Sequence, residues 1–344
     1  MKTSILVTGA AGFVGSSLGY FLISRGYEVR GAVRRIAPNQ SHDSADNCKN
    51  GLSYINTGDI SPDTDWSQAL RDVDTVVHLA ARVHLTHEDP AHCLDEYRSV
   101  NTQGTVNLAN QAARAGVRRF VYLSTVKVHG EKTALHPGFF TGQGHDELPV
   151  AFSEADVPRP QGGYAISKWE AERELRLIAS ATGMETVIVR PPLIYGEGVK
   201  ANFLSLLRMI DKGIPLPFGS VANRRSMLCL DNLVDFLMQC ISHPAAANET
   251  FLVADNETLS TPELICRIAF YMGKKPKLPG CPIGLLRMGA RLLGRADAIA
   301  KICGSLQLDA RKAKTLLHWQ PPLTVEQGLE KTVSWYQKTK KING

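Results

Sequence analysis

Three glycines near the start of the chain, Gly9, Gly12 and Gly15, restrict its fold more than any other feature. They follow an apolar run, Ile5, Leu6 and Val7, that reads as a buried strand. They lead into Phe13, Leu18, Phe21 and Leu22, which recur at helical spacing. In a strand–turn–helix setting each glycine has a use. Gly9 makes the tight turn, Gly12 lets the backbone approach a pyrophosphate, and Gly15 lets the helix pack on the strand. The N–H groups opening that helix then face phosphates, where the helix dipole favours negative charge. Gly9, Ala11, Gly12, Phe13, Val14 and Gly15 are the expected cradle for a dinucleotide.

The same rhythm continues through the first half. Residues 28–33, 53–57, 74–79, 119–124 and 185–190 read as strands, with helix-compatible stretches between them. Two of those stretches are long, about 93–115 and 163–181. Such alternation predicts an α/β fold, a doubly wound parallel sheet of Rossmann type. Beyond Pro191, helices separated by proline-rich links predict a smaller, mainly helical C-terminal substrate domain. A length of 344 residues suits two domains. The expected division is 1–190, with 225–255 returning to it, against 191–224 and 256–340. A strand at 250–254 would make that return. Residues 38–51 read as a surface loop, and 131–162 as a long functional loop such as a lid.

In a dinucleotide fold the end of the second strand meets the adenosine ribose. A carboxylate there bonds the ribose hydroxyls, whereas arginine accepts a 2′-phosphate. Here the strand ends in Val33, Arg34 and Arg35 with no acid, which favours NADP(H) over NAD. Asp59 and Ile60 fall where an adenine would be held. His78, ending the fourth strand, reads as a packed core residue.

Tyr164 and Lys168 stand four residues apart on one helix face. A free phenol titrates near pH ~10. A fixed ammonium stabilises the phenolate and lowers that value towards the range useful in acid–base catalysis. A third member is expected where the fifth strand ends, at Ser124-Thr125, since a hydroxyl can orient a substrate oxygen and share its proton. Counting to the turn at 128–130 favours Thr125, with Ser124 as a strand-end cap.

Other chemistries lack support. A net charge of +6 without a long basic run gives no nucleic-acid footprint. Seven scattered cysteines without a C-x-x-C pair read as reduced thiols, mostly core fillers, in a cytoplasmic protein. No secretory signal or membrane-spanning stretch is evident, so no membrane insertion is expected. The segment 282–293 is broken by Arg287 and Arg291 and reads as an amphipathic helix covering a core. His84, His87 and His92 are irregularly spaced, so no metal is assigned.

T-G-A-A-G-F-V-G at 8–15, H-L-A-A at 78–81, S-T at 124–125, Y-A-I-S-K at 164–168 and R-P-P-L-I-Y-G at 190–196 occur together. In this combination the chain resembles the extended short-chain dehydrogenases/reductases, and more narrowly the nucleotide-sugar epimerase/dehydratase family. The resemblance implies that Leu79, Ala80, Ala81 and Pro191 join Tyr164 and Lys168 around the cofactor. It implies that Arg82, Val83, Ser124, Thr125 and Val126 line the sugar. Asn202 and Arg225 match positions that contact a nucleotide diphosphate, with Lys200 and Arg224 as weaker candidates. A-A-R-V-H, G-V-K-A-N-F and R-R-S-M-L-C-L-D-N-L-V-D resemble a bacterial O-antigen subgroup. It contains reductases of UDP-4-keto-6-deoxy-N-acetylhexosamines and UDP-sugar 4-epimerases.

Departures from the pattern bear on the reaction. V-H-G at 128–130 replaces V-Y-G, with Lys127 before it, so a different substrate wall is expected. No C-terminal arginine–aspartate pair is recognisable before residue 306, and Arg295 and Asp297 are only substitute candidates. Val126 and Lys127 stand where a dehydratase carries acids. Val33 stands where NAD-retaining epimerases carry one. The first expectation is therefore NADPH-dependent reduction at C4 of a UDP-linked 4-keto-6-deoxy-N-acetylhexosamine in surface-polysaccharide synthesis. The alternative is an NAD-dependent UDP-hexose or UDP-N-acetylhexosamine 4-epimerase. A non-catalytic, cofactor-sensing protein is a third reading. The resemblance also implies a homodimer.

Overall fold

A computed structural model describes residues 3–36, 48–49, 52–83, 90–134, 150–292 and 296–343. The side chains of 48–49, 90–93, 287, 290, 292, 296–298 and 341–343 are left aside. The expectations for His84, His87 and Arg295, for the side chains of His92 and Asp297, for most of the 38–51 loop and for 135–149 of the second loop fall outside this description.

The first strand, β1 (Ser4–Thr8), is buried throughout and has a parallel neighbour on each side. On one side lie β2 (Glu28–Val33), then β4 (Leu52–Asn56), with the short β3 (Cys48–Lys49) antiparallel at the edge. On the other side come β5 (Thr75–His78), β6 (Arg119–Leu123), β7 (Glu185–Arg190) and β10 (Thr250–Leu252), all parallel. The strand order reverses between β1 and β5, where an open α/β sheet leaves its binding crevice. Strand β10 pairs with β7 in the register Thr250 to Ile188, so the stretch at 250 does return to the sheet. Strands β8 (Leu193–Tyr195) and β9 (Met227–Cys229) form a separate parallel pair.

Period-two alternation divides β1 between two cores. Ile5 and Val7 face α1 (Phe13–Ser24) and α6 (Leu230–Ser242). Leu6 faces α3 (Gly104–Arg114) and α4 (Gly162–Thr182). A third core, built from α5 (Ala201–Asp211), α7 (Thr261–Tyr271) and α11 (Val325–Asn343), gathers Phe203, Leu207, Ile268, Leu329 and Val333. Helix α8 (Ile283–Leu292) covers this core through Leu286 while Leu285 and Met288 stay exposed. Helices α9 (Ala296–Cys303) and α10 (Arg311–Leu317) precede α11. None of the described helices is long and apolar enough to cross a membrane.

Three local expectations are corrected. The stretch between β4 and β5 forms turns, because Ser61 and Asp65 offer the backbone hydrogen bonds that compete with a helix. The long helix about 93–115 is interrupted: α2 (Pro90–Tyr97) passes into a π-helical turn over Arg98–Gln103 before α3. The cysteines are less uniformly internal than expected. Cys229 and Cys240 are buried, but Cys266 lies on the solvent face of α7.

Arg119 fastens β6 to α6. It is 1% exposed, and its Nη1 donates to the carbonyls of Cys240, Ile241 and His243 while Nε meets Glu185 at 2.7 Å. Arg119→Ala would strip the three carbonyls of this donor, while Glu185 keeps Arg118, and is expected to cost about 3–5 kcal/mol. A shift of the urea midpoint checks this. An unchanged midpoint would show that the α6 terminus is held by something else.

Candidate active site

The glycine turn is closed tightly on itself. Gly9 has φ +68°, and the Gly12 N–H donates to its carbonyl at 2.8 Å. A methyl at Gly15 would lie 2.2 Å from that same oxygen, and one at Gly9 would meet the Ala80 nitrogen at 3.0 Å. The three glycines thus bring β1, the start of α1 and the Leu79-Ala80 backbone together. Helix α1 opens with no side-chain cap and no acid in its first turn. Helix N–H groups left without a side-chain cap can meet an anion, as the sequence expectation of a pyrophosphate requires.

Below this turn runs a buried chain of hydrogen bonds whose direction can be worked out. Thr8 Oγ1 accepts from the N–H groups of Leu79 and Ala80, both at 3.2 Å, so its own proton goes to His78 Nδ1, 2.7 Å away. Thr105 Oγ1 donates to the Asn101 carbonyl at 2.7 Å and therefore accepts from His78 Nε2, 3.0 Å away. His78 is thus the neutral Nε2–H tautomer, and burial together with Lys168 pushes its pKa down to about 3. It is a structural core residue, as expected from the sequence.

Asn101 was not singled out from the sequence, since only the π-helical turn brings it inward. Its side chain accepts from the Arg82 N–H and donates to the Arg82 carbonyl and to Ser167 Oγ. It therefore ties the 79–83 segment to the helix that carries Tyr164 and Lys168. A polar residue on an otherwise apolar face was the only available signal.

Tyr164, Lys168 and Glu172 follow one another at four-residue intervals along α4, which packs on β7 and on the turn at 126–128 beside Thr125. The three expected catalytic residues thus come from adjoining elements. Thr125 is buried, and its Oγ1 accepts from the Lys127 N–H at 3.3 Å. Tyr164 is half-buried with its ring edge-on to Tyr97, centroids 6.2 Å apart. The buried Lys168 ammonium sits over the Tyr122 ring, 4.1 Å from its centroid.

The expected lowering of the phenol pKa is not met by these side chains alone. Burial, with Tyr97 adding to it, pushes Tyr164 up to about 12, and burial brings Lys168 down to about 7 despite Glu172. Desolvation penalises the charged form of each group and is the largest cause of both shifts.

A second cluster lies directly behind the site. Glu172, fully buried, accepts from Ser124 Oγ at 2.5 Å and from Arg190 Nε at 3.0 Å, and also pairs with Arg190 Nη2 and Arg176 Nη2. Ser124 is therefore more than a strand-end cap. Arg190 Nη1 donates to His129 Nε2 at 2.8 Å, which leaves the His129 proton on Nδ1, buried without a partner among the described residues. His129, 3% exposed and stacked on Phe152, belongs to this internal network and not to a substrate wall as expected. Burial and Arg190 push its pKa down to about 4.

Val33 ends β2 buried, whereas Arg34 and Asp59 are about 80% and 85% exposed and approach each other at 3.7 Å. Arg35 is exposed, and Ile60 packs where Gly104 leaves room for it. Arg82 pairs with Glu96, and Val83 is exposed. Val126 is buried with Phe152, Leu252 and Leu306, and the Pro191 carbonyl accepts its N–H at 3.0 Å. Asn202 is exposed in the first turn of α5. Arg225 spends Nη1 on the carbonyls of Lys301 and Gly304, and Arg224 pairs with Glu263.

Gly15→Ala drives a methyl into the Gly9 carbonyl. It is expected to cost about 1–3 kcal/mol by overpacking and to weaken dinucleotide binding at least tenfold, read by calorimetric titration. Two neutral buried histidines also set an acid limit. Their folded pKa values lie below the unfolded value of ~6.5, so unfolding takes up protons as pH falls. Stability is expected to decline by up to about 1.4 kcal/mol per pH unit for each histidine below pH ~6.5. His129 contributes down to about 4 and His78 down to about 3. Urea titrations at a series of pH values check this, and a flat profile would contradict it.

Comparison with known proteins places this geometry. Residues 5–254 match the NAD dependent epimerase/dehydratase family. The chain is 41% identical to a UDP-glucose 4-epimerase of Vibrio cholerae, over 96% of this chain and 95% of that one. It is 28% identical to the N-acetyl-alpha-D-glucosaminyl-diphospho-ditrans,octacis-undecaprenol 4-epimerase of Escherichia coli O157:H7, over 97% and 96%. Its fold is similar to that of a UDP-glucuronic acid 4-epimerase from Bacillus cereus in complex with NAD, with TM-score 0.76, 23% identity, and coverage of 98% and 99%. With the glycine turn, the order of strands and the tyrosine–lysine helix in place, the chain belongs to the NAD dependent epimerase/dehydratase family, within the extended short-chain dehydrogenases/reductases.

Proposed function

We propose that this protein is an NAD-dependent UDP-sugar 4-epimerase, which reverses the order of the two leading readings from the sequence. The observation that carries it is the end-to-end likeness to the Vibrio cholerae 4-epimerase. A structural point supports it. The reductase reading rested on arginines open to a 2′-phosphate, but Arg34 turns towards Asp59. An arginine shared with a carboxylate has less to offer a phosphate, and the Asp59 carboxylate is itself suited to ribose hydroxyls.

The residues present fit a dinucleotide. The uncapped start of α1 would hold the pyrophosphate, Leu79 to Ala81 and Pro191 would flank the nicotinamide end, and Lys168 would reach its ribose. When bound, NAD supplies a hydride acceptor that can also return the hydride to the sugar carbon. Tyr164 takes the proton of the 4-hydroxyl and later gives it back. Thr125 holds that oxygen, and Lys168 offsets the charge on the phenolate. The burial that raises the Tyr164 pKa favours the protonated phenol needed for the return step. The sugar nucleotide would lie between the sheet edge and the α5–α7–α11 lobe, with Asn202 and Arg225 near its diphosphate. A homodimer in the cytoplasm forms part of the same proposal.

Protein purified without added cofactor is expected to interconvert UDP-glucose with UDP-galactose, or the corresponding N-acetylated pair. Tyr164→Phe is expected to lower kcat at least about 100-fold with little change in KM. NADPH consumption with a UDP-4-keto-6-deoxy sugar, and no interconversion, would restore the reductase reading instead.

A further inference from the structure

Lys168 is a buried cation without a counter-ion of its own. It is 1% exposed, and among the described residues it makes no hydrogen bond or ion pair. The carboxylate one turn along α4, Glu172, is taken by Arg190, Arg176 and Ser124. What the ammonium meets instead is the face of the Tyr122 ring, 4.1 Å from its centroid. A cation is attracted to the negative face of an aromatic ring out to ~6 Å, most strongly where both groups are out of water. Tyr122 is fully buried.

The sheet holds that ring in place. Tyr122 and His78 are register partners on β6 and β5, and their rings stack at 15° with centroids 5.8 Å apart. His78 is fixed in turn by Thr8 and Thr105 and kept neutral, so the floor beneath the ammonium carries no positive charge. The ionisable groups on the other neighbouring elements are uncharged or already paired. Tyr164 lies edge-on to Tyr97 with its phenol protonated, Arg98 of the π-helical turn pairs with Glu170, and Lys127 of the 126–128 turn pairs with Glu131. A carboxylate in place of Tyr122 would also hold the lysine, but it would cancel the positive field. A ring face stabilises the charge while leaving the three N–H donors free and the field in force. Burial, offset in part by Glu172, brings the Lys168 pKa down to about 7, so this contact weighs on how much of the lysine is charged near neutral pH.

We propose that Tyr122 is a positioning residue for the reaction: the face of its ring holds the Lys168 ammonium in place and charged, without a counter-ion, so that the positive field falls on the Tyr164 phenol one turn away. This rests on the reading of Tyr164 and Lys168 as the acid–base pair. Tyr122 is buried beneath the lysine and acts through it. The ring face does the holding, and the hydroxyl of Tyr122 has no part in it, so phenylalanine serves as well.

The experiment follows the lysine directly. NAD-saturated protein, isotope-labelled at lysine Cε, is titrated with pH by NMR, and the Lys168 signal is the one lost in Lys168→Arg. Tyr122→Phe should leave the Lys168 pKa close to the wild-type value. Tyr122→Leu should lower it by at least about one pH unit. Phenylalanine carrying successive ring fluorines at position 122, which weakens the negative face and keeps the shape, should lower it stepwise. In the epimerase assay the alkaline limb of kcat/KM should move down by the same amount, because the charged lysine is lost as pH rises through its pKa. The fluorinated series preserves the packing and stays decisive if Tyr122→Leu unfolds the protein. A Lys168 pKa that is unchanged or raised across that series, or that falls as far in Tyr122→Phe as in Tyr122→Leu, would overturn the proposal. The expected shifts in a wild-type background that interconverts no UDP-sugar would support the contact and count against the function proposed above.

Discussion

Glu172 has no solvent exposure, and a carboxylate can stay ionised in such a place only where opposite charge and hydrogen-bond donors are brought to it. Arg190 from the end of β7, Ser124 from the end of β6 and Arg176 from the next turn of α4 meet that need. Glu172 and two of these partners adjoin residues of the proposed reaction centre: Ser124 precedes Thr125, Arg190 precedes Pro191, and Glu172 follows Lys168 by four. Satisfying one buried charge therefore sets the spacing of the three segments that carry the proposed reaction centre. Removing either member of such a pair strands the other, which costs about 3–5 kcal/mol.

Burial around this cluster shapes the catalytic groups as well. The Lys168 ammonium rests on the Tyr122 ring, and His78 beside it is kept neutral. Desolvation makes the lysine easier to discharge and holds the Tyr164 phenol protonated. The protein alone thus presents an acid. Turning the same phenol into a base requires the ammonium to hold its charge close to it.

The end of β2 shows how a local reading can miss a partner from elsewhere in the chain. The end of β2 lacks an acid in the usual position, and two arginines follow it. In the folded chain the loop after β4 brings Asp59 to Arg34, so a carboxylate reaches the same corner from another part of the chain. His129 gives a similar lesson. As a substitution within a turn it suggested an altered wall, whereas its place is fixed by Arg190, sixty-one residues away.

Much of the architecture was legible because its causes are local. Apolar runs of strand length, glycines where a methyl has no room, and helical spacing in 163–181 all act within a few residues. The glycine turn and the tyrosine–lysine pair could be read for the same reason, since each is a short pattern with a mechanical purpose. The π-helical turn that brings Asn101 inward, the tautomer of His78, the pairing of Arg34 and the ring beneath Lys168 could not. These depend on desolvation and on partners drawn from other strands, and only the folded chain brings those together. Sequence by itself determined the dinucleotide fold and the family to which the chain belongs. Tertiary structure decided which charges are buried, which are shared, and which remain available to a ligand.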